Sequence, residues 1–290
     1  MGETRSAEAA TATGARLARI LGAVALAAMV ACQVMSGLDA DPARFTEVIV
    51  ALLAVSACCF AAAVWGVAGA AGAFGAAVLI GYVAELVGLL TGFPFGDYRY
   101  SGLLWPQVGG VPVAVALAWG GMGLAAYAVA AAIVPVPGWG RVAAGALALT
   151  AWDLFLDPQM VRMGLWSWAG EGPYRGIPVS NYAGWLLVSA LVMLAIQRVT
   201  REGGPPDGRA PRGLWSVYAT MAVMETVGFA AVFQPPDPLV AAVGGISMGR
   251  SPRCLGGGHG KGDGMAEVTG WPRRRDGRGD GRAGVAAWLR

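Results

Sequence analysis

The residues best placed to do chemistry are four acidic side chains that lie within apolar stretches of the sequence. Asp153 and Asp157 stand four positions apart, a spacing that puts both on one face of a helix. Glu85 and Glu225 each lie in a separate apolar stretch. A carboxyl group inside a membrane is energetically costly and needs either a partner or a function. We therefore treat these four residues as candidate catalytic groups.

Proton transfer to an alkene is the chemistry that suits such carboxyl groups best. Burial disfavours the charged form of a carboxyl group, so a buried acid can remain a proton donor near neutral pH. Aromatic faces and a remaining carboxylate can stabilise the carbocation that follows. Water held by a second acid or by an amide would then complete a hydration. The side chains that we expect to contact the substrate are Tyr98, Trp152, Trp166, Trp168, Tyr174, Asn181, Tyr182 and Trp185.

The same residues also have ordinary structural interpretations. Asp157 precedes Pro158, so it can simply shape a helix end. Asp153 and Glu225 can join helices by hydrogen bonds to backbone or amide groups, and Glu85 can do the same. The tryptophans are typical of an aromatic belt at a membrane interface. These alternatives remain open at the level of sequence.

The composition predicts an all-α, polytopic transmembrane helical bundle. Of the 290 residues, 56% are hydrophobic and only 13% are charged, whereas a soluble domain has roughly a quarter of its residues charged. Several apolar stretches reach the ~20 residues that cross a bilayer. We expect seven spans and a shortened or incomplete eighth. The expected helices cover residues 17–37, 46–64, 70–90, 112–133, 141–157, 181–198, 213–233 and 239–248. We expect the fifth to break at Pro158.

Three segments make up the expected domain organisation. Residues 1–15 are rich in Ala, Thr and Glu, and we expect them to be disordered. Residues 16–249 form the transmembrane helical domain. Residues 250–290 are rich in Gly, Arg and Pro, which predicts a disordered tail. The abrupt change in composition also suggests that this tail is a shifted reading frame in place of the rest of the eighth helix.

The distribution of basic residues and histidine excludes several function classes. The only Lys is Lys261 and the only His is His259, and both lie in the tail. An intramembrane lysine for a Schiff base is therefore missing, as is the commonest ligand of haem, zinc and di-iron sites. The basic surplus also belongs to the tail, and no basic stripe in the body points to nucleic acid. We expect no metal and no cofactor.

Arginine placement predicts the orientation in the membrane. Arginines are most frequent in the N-terminus, at Arg141 and in the linker of residues 198–212. Because cytoplasmic loops carry the excess of basic residues, we expect a multi-pass protein of the cell membrane with a cytoplasmic N-terminus. The aromatic loops of residues 91–112 and 158–180 would then both lie on the outer face.

This orientation also predicts where the acids lie in depth. Glu85, Asp153 and Glu225 belong to the third, fifth and seventh helices, which would all run from inside to outside. At 1.5 Å per residue each lies within ~15 Å of the outer boundary. We therefore expect one layer of carboxyl groups beneath the two aromatic loops.

Four blocks of the sequence resemble the carotenoid biosynthesis membrane family. The blocks are EXXGXXTGXPFGXYXY from residue 85, GVPVAVALAW from residue 110, AWDLFLDPQMVRMGLWSW from residue 151 and YRGIPVSNYAGW from residue 174. The resemblance covers about residues 70–248. This family contains the bisanhydrobacterioruberin hydratases and the γ-carotene 1′,2′-hydratases.

The resemblance implies a carotenoid 1,2-hydratase, which is a hydro-lyase that needs no cofactor. It would add water across a terminal isoprenoid double bond of an acyclic carotenoid and give a tertiary alcohol. The matching positions are Glu85, Tyr98, Asp153, Asp157, Asn181 and Glu225. We expect Asp153 to protonate the alkene, and Asp157 or Glu225 to orient and deprotonate the water. The expected partners are the carotenoid and the lipid bilayer. Other carotenoid biosynthetic enzymes are further candidate partners.

Two other functions fit parts of the sequence. Intramembrane acids also serve as proton relays, so a proton-coupled transporter is an alternative. Such a protein would spread its acids across the membrane and show a repeat between its halves, and neither is evident here. A carotenoid-binding subunit without catalytic activity is the other alternative, and it would bind pigment without changing it.

Overall fold

The computed structural model describes residues 2–200 and 211–249, with side chains described from residue 11 onward. The predicted helical class is confirmed. The helices of this part of the chain are α1 (Gly2–Leu38), α2 (Thr46–Thr91), α3 (Val113–Ile133), α4 (Trp139–Arg162), α5 (Val179–Val199), α6 (Arg212–Val227) and α7 (Pro238–Gly249). A 3-10 turn (Pro42–Phe45) precedes α2, and a π-helical turn (Gly228–Val232) follows α6.

The boundaries of α1 and α2 differ from the predicted ones. α1 includes residues 2–15, which lie in the segment that we expected to be disordered. α2 contains both the second and the third predicted helix, and the predicted break between them is a kink at Gly66. The backbone of Gly66 has φ 74° and ψ 168°, a conformation that glycine reaches easily because it has no Cβ atom.

The expectation that the fifth helix breaks at Pro158 is wrong, because α4 continues through this proline to Arg162. Proline has no N–H, so the carbonyl group of Leu154, four residues earlier, loses its helical donor. The hydroxyl group of Tyr174 donates to that carbonyl oxygen instead, at 3.0 Å. A side chain from the following loop thus replaces the missing backbone hydrogen bond and lets the helix continue.

Five helices within the described residues are long and apolar enough to cross a membrane. They are Thr11–Leu38, Pro42–Thr91, Val113–Ile133, Val179–Val199 and Arg212–Val232. This result indicates a membrane protein. It does not establish seven spans, and the number of spans and the orientation remain predictions. The 12 described residues of α7 rise about 18 Å. The predicted tail of residues 250–290 lies outside the described residues.

α3 lies at the centre of the bundle. In its most apolar window 83% of the residues are buried, a larger share than in the other four candidate spans. It packs against α2, α4 and α6, while α5 packs on α4 and α2. This arrangement brings residues of α2, α4 and α5 to one side of α3, where the candidate site lies.

Four short strands, which the all-α prediction missed, lie in the two aromatic loops. β1 (Tyr98–Tyr100) pairs in antiparallel fashion with β4 (Trp166–Trp168). β2 (Gln107–Val108) and β3 (Val111–Pro112) form a tight hairpin. Its two turn residues, Gly109 and Gly110, both have positive φ, which is the requirement of a type I′ turn. The β1–β4 pair joins the two loops into one unit, here called the aromatic ribbon.

Candidate functional site

The alternation of side chains along the aromatic ribbon places four aromatic rings on one face. Tyr98 lies opposite Trp168, and Tyr100 lies opposite Trp166. The residues between them, Arg99 and Ser167, are exposed on the other face. Because side chains alternate with a period of two along a strand, the ribbon presents an aromatic face to the bundle and a polar face away from it.

Glu85 of α2 accepts hydrogen bonds from three aromatic side chains. The hydroxyl groups of Tyr98 and Tyr100 donate to Oε2 at 2.5 and 2.7 Å. The indole N–H of Trp119 on α3 donates to Oε1 at 3.0 Å. An ionised carboxyl group only accepts hydrogen bonds, so three donors suit the carboxylate form. Glu85 thereby ties the ribbon to α2 and α3.

The two tyrosines of this cluster are firmly protonated. Burial, and then the adjacent carboxyl group of Glu85, raise the pKa of both Tyr98 and Tyr100. A phenol whose pKa is raised keeps its proton over the whole physiological range. Both hydroxyl groups are therefore fixed as donors to Glu85.

A second buried cluster consists of Asp153 and Asp157 on α4 and Asn181 on α5. All three side chains are at most 2% exposed. The amide nitrogen of Asn181 donates to Asp153 Oδ2 at 3.0 Å, and it also donates to Asp157 Oδ2. One amide group therefore bridges the two carboxyl groups that the sequence placed on one helix face.

The remaining oxygen atoms of the two aspartates differ in their partners. The indole N–H of Trp166 donates to Asp157 Oδ1 at 3.1 Å. Asp153 Oδ1 is buried and has no hydrogen-bond partner among the described residues. Within the described part of the chain the ion pairs are Arg44–Asp39 and Arg175–Asp237, so no cation pairs with either aspartate there.

Glu85, Asp157 and Asn181 line one cavity, here called the first cavity. Its wall is otherwise largely apolar and aromatic. The other lining residues are Thr46, Val50, Phe95, Tyr98, Tyr100, Leu104, Ala114, Val115, Ala118, Trp119, Trp152, Leu156, Met160, Trp166, Trp168 and Trp185. Carboxyl groups from two helices and an amide from a third thus meet in one apolar space beneath the ribbon.

Most of the side chains predicted to contact a substrate line the first cavity. These are Tyr98, Trp152, Trp166, Trp168, Asn181 and Trp185. Trp185 stacks on Trp119, with ring centroids 4.2 Å apart. The structure therefore brings the two aromatic loops and the tryptophans of α4 and α5 to the same place.

Four predicted site residues do not line the first cavity. Asp153 lies behind it, bonded to Asn181. Tyr174 bonds the carbonyl group of Leu154 instead, and Tyr182 packs edge-on against the Tyr174 ring. Glu225 lines an adjoining cavity.

Sequence reasoning missed two donors to Glu85. Tyr100 was not singled out, although its spacing from Tyr98 puts both rings on one face of a strand. Trp119 was assigned to an interfacial belt but is only 1% exposed. Trp105 and Trp139, at 74% and 76% exposed, have the accessibility that such a belt needs. Composition alone could not separate these two kinds of tryptophan.

Comparison with known proteins identifies a family that the sequence of this chain matches. A family model described as carotenoid biosynthesis protein matches residues 45–248. The bisanhydrobacterioruberin hydratase of Haloarcula japonica is 34% identical to this chain over 128 residues. That alignment covers 41% of this chain and 42% of the relative, so it spans less than half the length of either. No solved structure matches the chain.

Proposed function

This chain belongs to the carotenoid biosynthesis protein family, and we propose that it is a carotenoid hydratase. The proposed reaction adds water across a terminal isoprenoid C=C bond of an acyclic carotenoid and gives a tertiary alcohol. The observation that carries the proposal is the first cavity. Its apolar, aromatic wall carries the carboxyl groups of Glu85 and Asp157. It also carries the amide of Asn181, which bridges Asp157 and Asp153.

The buried aspartate pair is suited to hold one proton for transfer. Two carboxyl groups that are bridged by one amide, and that have no cation partner in the described part of the chain, are costly to keep doubly charged in an apolar site. One shared proton relieves that repulsion, and the pair then acts as a unit. The unpartnered Asp153 Oδ1 is an oxygen atom at which such a proton can reside between turnovers.

We assign the proton-donating role to Asp157. The sequence favoured Asp153, but Asp157 lines the first cavity and Asp153 does not. Asp153 would act through Asp157 by returning a proton to it. Asn181, which contacts both carboxyl groups, would hold the pair in register. Asp157 is thus the catalytic residue, and Asp153 and Asn181 are positioning residues.

The proposed reaction has three steps and leaves the protein unchanged. The π electrons of the terminal alkene form a C–H bond with the proton of Asp157, and a tertiary carbocation remains. The oxygen atom of a water molecule then bonds to that carbon. One proton of this water returns to the aspartate pair, so its proton count is restored. This proposed sequence uses no cofactor.

The aromatic wall and Glu85 would stabilise the carbocation. The faces of tryptophan and tyrosine rings attract cations, and several such rings line the first cavity. Glu85 supplies a negative charge whose position is fixed by Tyr98, Tyr100 and Trp119. A charge that is fixed before the reaction costs no reorganisation when the cation forms.

Membranes that contain the full chain and an acyclic carotenoid test the proposal. In water enriched in ¹⁸O, mass analysis should find one ¹⁸O atom in a tertiary alcohol product. Glu171→Gln is a suitable control, because Glu171 is exposed in the loop after the ribbon. Pigment that copurifies unchanged with an inserted, folded protein would indicate a binding subunit and contradict the proposal.

A further inference from the structure

A second cavity adjoins the first and is larger. It lies between α1, α2, α4 and α6, and its wall is mostly aliphatic side chains and methionines. Five polar side chains line it. Besides Ser36 and Thr46 they are Gln33 on α1, Gln159 on α4 and Glu225 on α6, and these last three carry amide or carboxyl groups. The reaction proposed above uses none of these three residues.

Glu225 and Gln159 face each other in this second cavity. With its amide nitrogen turned toward Glu225, Gln159 lies 3.3 Å from both carboxyl oxygens. Glu225 is 6% exposed. The pair offers a carboxyl acceptor and an amide donor side by side within an apolar wall.

Gln33 adds an unsatisfied acceptor to the same cavity. Its side-chain oxygen is buried and has no hydrogen-bond partner among the described residues. Its amide nitrogen donates to the sulfur atom of Met221, at 3.4 Å. A buried acceptor without a partner costs about 1–3 kcal/mol, so this oxygen points to a guest that can donate a hydrogen bond.

The two cavities share part of their walls. Thr46, Val50, Trp152, Leu156 and Met160 line both of them. An elongated apolar guest with its end in the first cavity could therefore extend along these residues into the second. This continuity matters because the aromatic ribbon covers the first cavity from the loop side.

The three polar groups together select for one kind of functional group. A hydrocarbon would leave the Gln33 oxygen unpaired, and a carboxylate or similar anion has no hydrogen to donate to it. An ammonium group could not accept from the amide of Gln159, since it has no acceptor. A hydroxyl group can donate to Glu225 or to Gln33 while it accepts from Gln159.

We propose that the second cavity binds a hydroxyl-bearing part of an isoprenoid chain and holds its hydroxyl group with Glu225, Gln159 and Gln33. This inference rests on the proposed function, because that function supplies the isoprenoid guest. It adds a specificity site to the protein. A chain that already carries an alcohol would bind more tightly than the matching hydrocarbon.

Binding of two polyenes to the purified full chain tests this inference without any turnover, provided that the terminal double bonds of both probes are saturated. The probes are an acyclic polyene with one tertiary alcohol and its hydrocarbon counterpart. Quenching of tryptophan fluorescence reports both, because Trp152 lines both cavities. The alcohol should bind about tenfold more tightly, which corresponds to one hydrogen bond to a charged or strongly polar group.

The double variant Glu225→Met with Gln159→Leu should remove this tenfold preference. Replacing both members of a buried polar pair by apolar residues of similar size leaves no unpaired partner, so the fold should be retained. Asp157→Asn is the matched variant in the first cavity, and it should leave the preference in place.

Equal binding of the two polyenes by the unaltered protein would overturn the inference. A preference that survives the double variant would also overturn it, and one lost in Asp157→Asn would place the hydroxyl group in the first cavity instead. Bound water alone in the second cavity would give equal binding. Failure of the proposed function would appear separately, as an absence of ¹⁸O-labelled alcohol in the membrane assay.

Discussion

Glu85 and Asp157 line the same cavity, but their surroundings differ. Glu85 accepts three hydrogen bonds, from Tyr98, Tyr100 and Trp119, so each of its oxygen atoms already has a donor. Asp157 shares the single amide of Asn181 with a second carboxyl group. One carboxyl group is thus held by three hydrogen-bond donors, and the other belongs to a pair.

This difference separates two tasks that acidic residues can perform in an apolar site. A carboxylate surrounded by strong hydrogen-bond donors has little tendency to take up a proton, so it suits electrostatic stabilisation. A carboxyl group next to a second one can pass a proton to its neighbour with little rearrangement. We infer that α4 carries the proton-transfer function and that α2 carries the fixed charge.

Asp157→Asn should have the largest effect on activity. An asparagine has nearly the same shape but cannot donate a carboxylic proton, and general acid catalysis typically contributes about 10²–10⁴-fold. We expect product formation in membranes to fall by at least about a hundredfold while the protein still inserts. Glu171→Gln serves as the control. Normal turnover in Asp157→Asn would assign proton transfer to another group.

Glu85→Gln should lower both activity and stability. The amide group of glutamine would present N–H groups to at least one of the three donors, and a buried unpaired donor costs about 1–3 kcal/mol. We expect a lower Tm of the detergent-purified protein and a loss of activity of about tenfold. Tyr82→Phe is a control for the loss of an aromatic hydroxyl, because Tyr82 makes only a 3.4 Å contact with a backbone carbonyl. A variant with unchanged Tm and unchanged activity would show that the three hydrogen bonds do not hold the ribbon in place.

Asp153→Asn should reduce activity less than Asp157→Asn, because Asp153 is separated from the first cavity by its partner. If it returns a proton to Asp157, the pH–rate profile should change from that of a coupled pair to that of a single acid. A purely structural role would lower the amount of folded protein and leave the profile unchanged. Comparing the profiles of the unaltered protein and Asp153→Asn separates the two roles.

The features of the site that depend on local physical constraints could be predicted from the sequence. The four-residue spacing of Asp153 and Asp157 predicted that both lie on one helix face, and in the structure both accept hydrogen bonds from Asn181, which was predicted as part of the same site. Both follow from helical periodicity and from the high cost of burying a charge without a partner.

The relation between cavities could not be predicted because it depends on how helices rotate against one another. Glu225 was expected in the same layer as the other acids, but the structure places it in the second cavity, opposite Gln159. Depth along a helix can be counted from the sequence, whereas the direction in which a side chain points between neighbouring helices cannot. The pairing of β1 with β4 was missed for a related reason, since three-residue strands carry almost no periodic signal.

Tyr174 and Pro158 show how a long-range contact can overrule a local rule, and they give the smallest of the expected effects. Burial raises the pKa of Tyr174 to about 12, so its hydroxyl group keeps the proton that it donates to the Leu154 carbonyl oxygen. Leu154 lies between the two aspartates on α4. Tyr174→Phe should therefore lower stability by about 1–2 kcal/mol, since it leaves a carbonyl group near a proline unpaired.

A double-mutant cycle can attribute this cost to the carbonyl group of Leu154. Pro158→Ala restores an N–H group that can bond that carbonyl within the helix. Tyr174→Phe should then cost less in the Pro158→Ala background than in the unaltered protein, as measured by thermal unfolding in detergent. Equal costs in the two backgrounds would mean that Tyr174 stabilises the loop by packing alone. In that case the continuity of α4 through Pro158, and with it the alignment of Asp153 and Asp157, would have to come from the packing of α4 against α3 and α5.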